Sequence, residues 1–197
     1  MMIKKEEKIR IKKKVILDAL KRCLDRDVYS KITVQDIADE AGFSKGGVLH
    51  YFSNKEDIYL ALIEDIFHEF EEAYASILEW DLESDSMAPM SALIGVENFI
   101  ADKTNIRIMI NLILYAFEEE KIMNQIKLYI NKLRYFYLNI IPRGDDLNHR
   151  RKSDLEPKYL ARIAQTVVLF LGLMETIDPI DIDNLEIIKY ITTLLKG

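Results

Sequence analysis

The chain reads as all-α, a small helix-turn-helix domain followed by a larger helical domain, and three observations lead there. Only 7 glycines and 4 prolines interrupt 197 residues, too few for the turns of an all-β fold. Leu, Ile, Lys and Glu dominate, and apolar residues recur at helical spacing along most of the chain. Charge is divided unevenly. Residues 1–55 hold 13 Lys+Arg against 8 Asp+Glu, and residues 56–197 hold 14 against 25. A polyanion would be drawn to the first quarter and repelled by the rest.

The first helix carries Ile9, Ile16, Ala19, Leu20, Cys23 and Leu24 on one face, with lysines opposite, and should end between Asp27 and Ser30. In TVQDIADEAGFS, Thr33 is an N-cap and Asp36 stands at the third helical position, where a capping-box acid belongs. Ile37, Ala38 and Ala41 give this short helix one apolar side, and Gly42 suits a left-handed stop. Ser44 can cap a third helix. Two short helices joined by a glycine-containing turn make a helix-turn-helix.

The third helix begins in FSKGGVLHYF, Phe43 to Phe52. Gly46 and Gly47 each weaken it by roughly 1 kcal/mol relative to alanine, so the backbone here must turn or approach something closely. A fourth helix follows, with Ser53 and Glu56 as a capping box and Ile58, Leu62, Ile66 and Phe70 on one side, to about Leu78. ESDSMAP, Glu83 to Pro89, reads as a break. Helices are expected over 90–102, 105–118 and 120–140, with a second break in IPRGDDLNHRRKSD. Ser153 with Glu156 should cap the next helix, Pro157 falling in its first turn, and that helix should continue to about Thr176. DPIDID separates it from a last helix over about 183–195. Nine helices result.

The longest uninterrupted apolar run, Val167 to Met174, has eight residues, too short to cross a bilayer. The basic N-terminus lacks the apolar stretch of a signal peptide, and the one cysteine, Cys23, excludes an internal disulfide framework. A cytoplasmic protein without a membrane segment is expected. Asp65 and His68 lack the second carboxylate–histidine pair that a di-metal bundle needs. No nucleophile–base pairing, phosphate-loop lysine or paired-carboxylate spacing points to catalysis. Neither an enzyme nor a bound cofactor or metal is therefore expected.

In a helix-turn-helix the second helix enters the DNA major groove by its N-terminal end. Gly46 and Gly47 would let that backbone come close. Ser44 and the free amides of the first turn suit a phosphate, and Lys45 adds charge. His50 and Tyr51 can donate to base or phosphate oxygens. Lys55, at the next helix start, is a second phosphate clamp.

The segment Thr33 to Ile58 resembles the N-terminal signature of TetR-family transcriptional regulators. It matches at Thr33, Ile37, Ala38, Ala41, Gly42, Ser44, Gly46, Tyr51, Phe52, Lys55 and Ile58. It departs at Leu49, where many members place a tyrosine. The resemblance covers residues 10–60 and implies DNA contacts from Thr33, Ser44, Lys45, Gly46, Gly47, His50, Tyr51 and Lys55. It further implies a DNA-binding domain at 1–52 and a ligand-binding and dimerisation domain at 53–197. The implied protein is a homodimer on a pseudo-palindromic double-stranded DNA operator. A small-molecule effector would shift the fourth helix and release the DNA, making the protein a repressor. An activator of the same family is an alternative.

The residues themselves support parts of this. In the helix over 157–176, Leu160, Ile163, Ala164, Val167, Leu171 and Met174 make a stripe expected to face their own domain. Ala161, Gln165, Val168 and Gly172 make a second stripe suited to a subunit interface. Ile187, Ile191 and Leu194 of the last helix would complete a four-helix dimer bundle. Residues 99–137 are rich in Phe, Tyr and Met. Met109, Phe117, Tyr137 and Met174 are expected on inward faces, lining a pocket for an apolar or amphipathic effector. The rival reading, a helical small-molecule carrier or enzyme with a vestigial helix-turn-helix, is opposed by the confinement of basic charge to residues 1–55.

Overall fold

The computed structural model describes residues 2–79, 84–98, 103–140, 155–180 and 183–196, and the side chains of 2–4, 77–79, 84–88, 140 and 194–196 fall outside that description. Among the described residues the chain is all-helical: α1 (Met2–Arg26), α2 (Val34–Ala41), α3 (Lys45–Leu49), α4 (Lys55–Glu79), α5 (Ser84–Val96), α6 (Lys103–Glu118), α7 (Glu120–Ile140), α8 (Pro157–Ile177) and α9 (Asn184–Lys196).

Two compact units form. Unit 1 comprises Met1–Phe67 and Arg107–Lys127, and unit 2 comprises His68–Ile106 and Leu128–Gly197. The helix-turn-helix thus shares unit 1 with the first part of α4, most of α6 and the first turns of α7, a grouping that does not follow the division expected after residue 52.

Unit 1 is built on the apolar face foreseen for α1. Ile16, Ala19, Leu20 and Leu24 are buried there with Ile37 and Ala38 of α2, Val48 of α3 and Ile58, Tyr59 and Leu62 of α4. Ile108, Leu112 and Ile122 from α6 and α7 are buried in the same unit. Polar ties reinforce it. Glu40 accepts from Arg22 Nε and Arg26 Nη2 at 2.6 Å each, joining α2 to α1. Lys14 Nζ donates to both Asp65 carboxylate oxygens, at 2.9 and 2.8 Å, joining α1 to α4. Asn111 of α6 accepts from the backbone N–H of Tyr29 at 2.8 Å and donates to the carbonyls of Arg107 and Leu24.

Unit 2 buries Phe70 and Tyr74 of α4, Ala92 and Val96 of α5, Tyr137 of α7, Leu160, Ala164 and Val168 of α8, and Ile191 of α9. α8 is long and apolar enough to cross a bilayer by length and composition. Its row of Leu160, Ala161, Ala164, Val168 and Gly172 is instead buried within this unit, as in the core helix of a globular domain.

Several boundaries differ from expectation. α5 starts at Ser84 and carries Pro89 inside it, so the expected break over 83–89 is largely helix. The α4 start is capped by Asn54, whose Oδ1 accepts from Asp57 N at 2.8 Å. The expected box partner Glu56 is drawn instead to Lys121 of α7 at 2.7 Å. α8 starts with Pro157 directly after Glu156, which makes no side-chain cap bond. Ser153 and the expected break over 141–154 lie outside the described residues.

Candidate nucleic-acid interface

The expected capping box at α2 is present in full. Thr33 Oγ1 accepts from Asp36 N at 3.2 Å while Asp36 Oδ2 accepts from Thr33 N at 2.7 Å. Thr33 Oγ1 also donates to that carboxylate at 2.7 Å. A hydroxyl has one proton, so Thr33 serves as a cap and has none left for the expected phosphate contact. These bonds hold the Asp36 carboxyl below its ordinary pKa. Gly42 ends the helix in the left-handed conformation at φ 71°, and Phe43 N donates to Ala38 O at 2.9 Å.

α3 is only five residues long and is anchored by the wholly buried Val48. Ser44 caps it, its Oγ accepting from Gly47 N at 3.0 Å, which leaves the hydroxyl proton for another acceptor. Lys45, Gly46 and His50 are exposed, and Leu49 is 39% exposed. The half-buried Tyr51 ring packs edge-on to Phe43 and His50.

The two glycines differ. A Cβ on Gly47 would lie 3.3 Å from Ser44 Oγ and 3.4 Å from the Phe43 ring, so Gly47 makes room for the cap. A Cβ on Gly46 would meet nothing within 4 Å. Gly46 lies on the open side of the helix, where an absent side chain lets another molecule approach the backbone.

Lys55 departs from expectation. Its Nζ donates to the Tyr29 carbonyl at 2.7 Å and lies over the Tyr59 ring, 5.5 Å from the centroid. Burial lowers its pKa. The ammonium is drawn inward because the α1–α2 connection brings the Tyr29 carbonyl, which also accepts from the Tyr59 hydroxyl at 3.5 Å, to the α4 start; as found, it is a structural tie rather than an open phosphate clamp. Sequence reasoning overlooked Lys12 and Lys13. Lys12 Nζ stands 5.3 Å from the Phe43 ring and Lys13 Nζ 5.2 Å from the Phe52 ring, so both add exposed charge beside the turn and α3. The available signal was their position one turn ahead of buried Ile16, on the α1 end that reaches the aromatic flanks of the motif.

Residues 16–62 match the family model described as bacterial regulatory proteins, tetR family. The resemblance to the TetR family is carried by this stretch. The HTH-type transcriptional regulator YfiR of Bacillus subtilis is 41% identical over 49 residues, 25% of this chain and 24% of that protein. The HTH-type transcriptional repressor AcnR of Corynebacterium diphtheriae is 33% identical over 55 residues, 28% of this chain and 29% of that protein. The chain thus matches less than a third of the length of these curated relatives. Fold likeness extends further. The transcriptional regulator FadR from Bacillus subtilis, solved with stearoyl-CoA, superposes with a TM-score of 0.78 at 16% identity, over 93% of this chain and 97% of that one.

The residues expected around an effector fall in both units. Met109 is buried in unit 1 and Tyr137 in unit 2, while Met174 is half-buried on α8. Phe117 is 75% exposed, contrary to its expected inward orientation. The buried row of α6 runs Ile108, Met109, Leu112, Ala116, and one further residue turns a side chain about 100° away from it.

The faces of α8 differ in part from expectation: Leu160 and Ala164 are buried as expected, but the stripe expected at a subunit interface is buried with them. Ala161, Val168 and Gly172 are buried inside the unit, and Gln165 Nε2 donates to the Ile130 carbonyl of α7 at 3.1 Å. Ile191 of α9 is likewise fully buried and Ile187 half-buried, while the Leu194 side chain lies outside the described residues. The small residues serve close packing within the unit: a Cβ on Gly95 of α5 would sit 3.2 Å from Val168 Cγ1. The outward face instead carries Arg162, Ile163, Thr166, Val167, Phe170 and Met174 along a groove of about 390 Å³, with Phe170 56% exposed.

Proposed function

We propose that this protein is a one-component, ligand-responsive transcriptional regulator, a repressor that binds a pseudo-palindromic DNA operator as a homodimer and is released by a small apolar or amphipathic effector. The observation that carries the reading is α3, with its glycine surface open at Gly46 and exposed Lys45 and His50 around it, inside a TetR-family domain. Lys12, Lys13 and Lys45 supply the phosphate-facing charge, Ser44 donates its free hydroxyl proton, and Gly46, Gly47 and His50 meet base edges or adjacent backbone. Tyr51 holds a phosphate from the end of α3. The repressor role draws support from AcnR, and the effector class from the acyl-CoA complex of FadR. The dimer forms through the apolar outer face of α8 with the exposed side of α9, where Leu185 and Tyr190 lie open. No catalysis is part of this role, and its setting is the cytoplasm.

Release follows from population shift. An effector that binds one dimer geometry better than the other moves the spacing of the two α3 helices away from successive turns of the DNA.

The test is binding of the purified chain to DNA from beside its own gene, against scrambled DNA, across a salt series. Specific binding should fall steeply with salt, and Lys45→Ala should lower the slope of log affinity against log salt by about 1 per subunit. Equal, weak binding to both DNAs, and to fragments selected genome-wide, would refute the regulator and favour a ligand carrier.

A further inference from the structure

From Ile16 onward one row of α1 is interior. Ile16, Ala19 and Cys23, spaced by three and four residues, are buried. Traced back toward the N-terminus at the same spacing, that row continues as Lys12, Lys8 and Lys5. Every residue from Lys5 to Lys13 is exposed. The three lysines thus stand on the side of the helix that faces the core further along, but beyond the end of that core. At 1.5 Å per residue, Lys5 to Lys12 spans about 10 Å of helix.

The chain does not neutralise this row. Among the described residues Lys5, Lys8 and Lys12 have no ion-pair partner. Glu6 and Glu7 lie roughly 120° or more around the helix from the row, and Arg10, off the row, reaches Glu7 at 3.7 Å. Lys14, by contrast, is held by Asp65 of α4. The first turn of α1 carries no acidic residue. Lysines three and four residues apart repel one another, and positive charge at a helix N-terminus opposes the helix dipole. The row therefore works against its own helix until an anion meets it.

Lys12 fixes where the row lies. Its Nζ is 5.3 Å from the ring of Phe43, in the turn that leads into α3. The row starts at that turn and runs away from it along α1. We infer that the first three turns of α1 form a second DNA-contacting element, with Lys5, Lys8 and Lys12 laid along the sugar–phosphate backbone beside the groove that α3 enters. This rests on the DNA-binding reading above and extends it past the helix-turn-helix. Duplex DNA carries one negative charge per ~1.7 Å of axis, so several phosphates fall within the span of the row. An anionic lipid surface fits less well. Ile9 and Ile11 are exposed about 160° apart around the helix and give no single apolar face to bury.

The test uses the full chain, a short duplex of random sequence and DNA from beside its own gene, each titrated across a salt series. The double variant Lys5→Ala with Lys8→Ala should lower the slope of log affinity against log salt by about 2 per subunit on both DNAs, because backbone contacts carry no sequence information. Lys5→Arg with Lys8→Arg should keep the wild-type slope. Lys158→Ala with Lys189→Ala makes the same change in net charge at exposed positions of unit 2 and should leave the slope unchanged. The thermal midpoint of the alanine pair at 5 and 8 should be unchanged or raised, since alanine is the better helix former and relieves the repulsion, so weaker binding is not a loss of fold. A wild-type slope in that variant, an equal fall in the unit 2 control, or no measurable binding to either duplex at low salt overturns the inference. So does an unchanged slope on DNA accompanied by loss of binding to phosphatidylglycerol vesicles, which would assign the row to a membrane surface. The regulator reading fails on a different result, equal binding of both DNAs, which leaves the slope comparison intact.

Discussion

Replacing Asn111 with alanine should destabilise the protein by about 2 kcal/mol, and the figure follows from its three bonds. Asn111 is 8% exposed and accepts from Tyr29 N, itself in a residue 8% exposed. Leaving that buried N–H without a partner costs about 1–3 kcal/mol. The bond to the Leu24 carbonyl is long at 3.4 Å, and the one to Arg107 O, at 3.0 Å, is local to α6, so together they add about 0.5–1 kcal/mol. Alanine is the better helix former in mid-α6 and offsets roughly 0.5 kcal/mol. For a chain of this length, about 2 kcal/mol corresponds to a fall in thermal midpoint of about 4–8 °C. Asn111→Asp keeps the acceptor for Tyr29 but turns carboxylate oxygen toward two carbonyls, so it should be at least as damaging. Thermal unfolding followed by circular dichroism gives the midpoint, and amide exchange at Tyr29 reports the local bond. A midpoint within 1 °C of wild type, with Tyr29 exchange unchanged, would refute the assignment of Asn111 as the latch between α6 and the end of α1.

The glycines of α3 should separate under substitution: Gly46→Ala should leave stability unchanged or raise it by up to ~1 kcal/mol while weakening operator binding, whereas Gly47→Ala should lower stability by crowding the Ser44 cap, both read by urea unfolding and a DNA titration. Glu40 has its pKa lowered by the hydrogen bonds from Arg22 and Arg26. Its contribution is therefore present above the unfolded value of about 4.3 and is lost as pH falls through the lower folded value; Glu40→Gln should destabilise at pH 7 and flatten the acid limb of a stability–pH curve. If the proposed dimer forms through the outer face of α8, where Phe170 is 56% exposed, Phe170→Glu should shift the wild-type dimer to a folded monomer by analytical ultracentrifugation. Phe117→Ser should change stability by no more than about 0.5 kcal/mol, as for other exposed positions, in the same urea titration.

Local signals carried far in this chain. The caps at Thr33 and Ser44, the left-handed stop at Gly42, the apolar face of α1 and the family signature over Thr33–Ile58 all depend on residues within a few positions of one another, and all are present. What failed depended on distant partners. Glu56 was expected to cap its own helix, yet Lys121 holds it. Lys55 was expected to face a phosphate, yet the Tyr29 carbonyl draws it inward. On α8 both stripes were found by spacing, but spacing cannot say which stripe meets a neighbour; the fit of Gly95 against Val168 decided that Ala161, Val168 and Gly172 turn inward. Phe117 and Met109 lie on the same apolar helix, and only the packing of α6 in unit 1 separates the exposed ring from the buried thioether. The sequence by itself determined most of the helices, the helix-turn-helix, the basic first quarter and the TetR-like signature, because these rest on short-range periodicity, capping and charge. The tertiary structure alone decided which face of each helix is interior and which cations remain outward, because those follow from contacts between residues tens of positions apart.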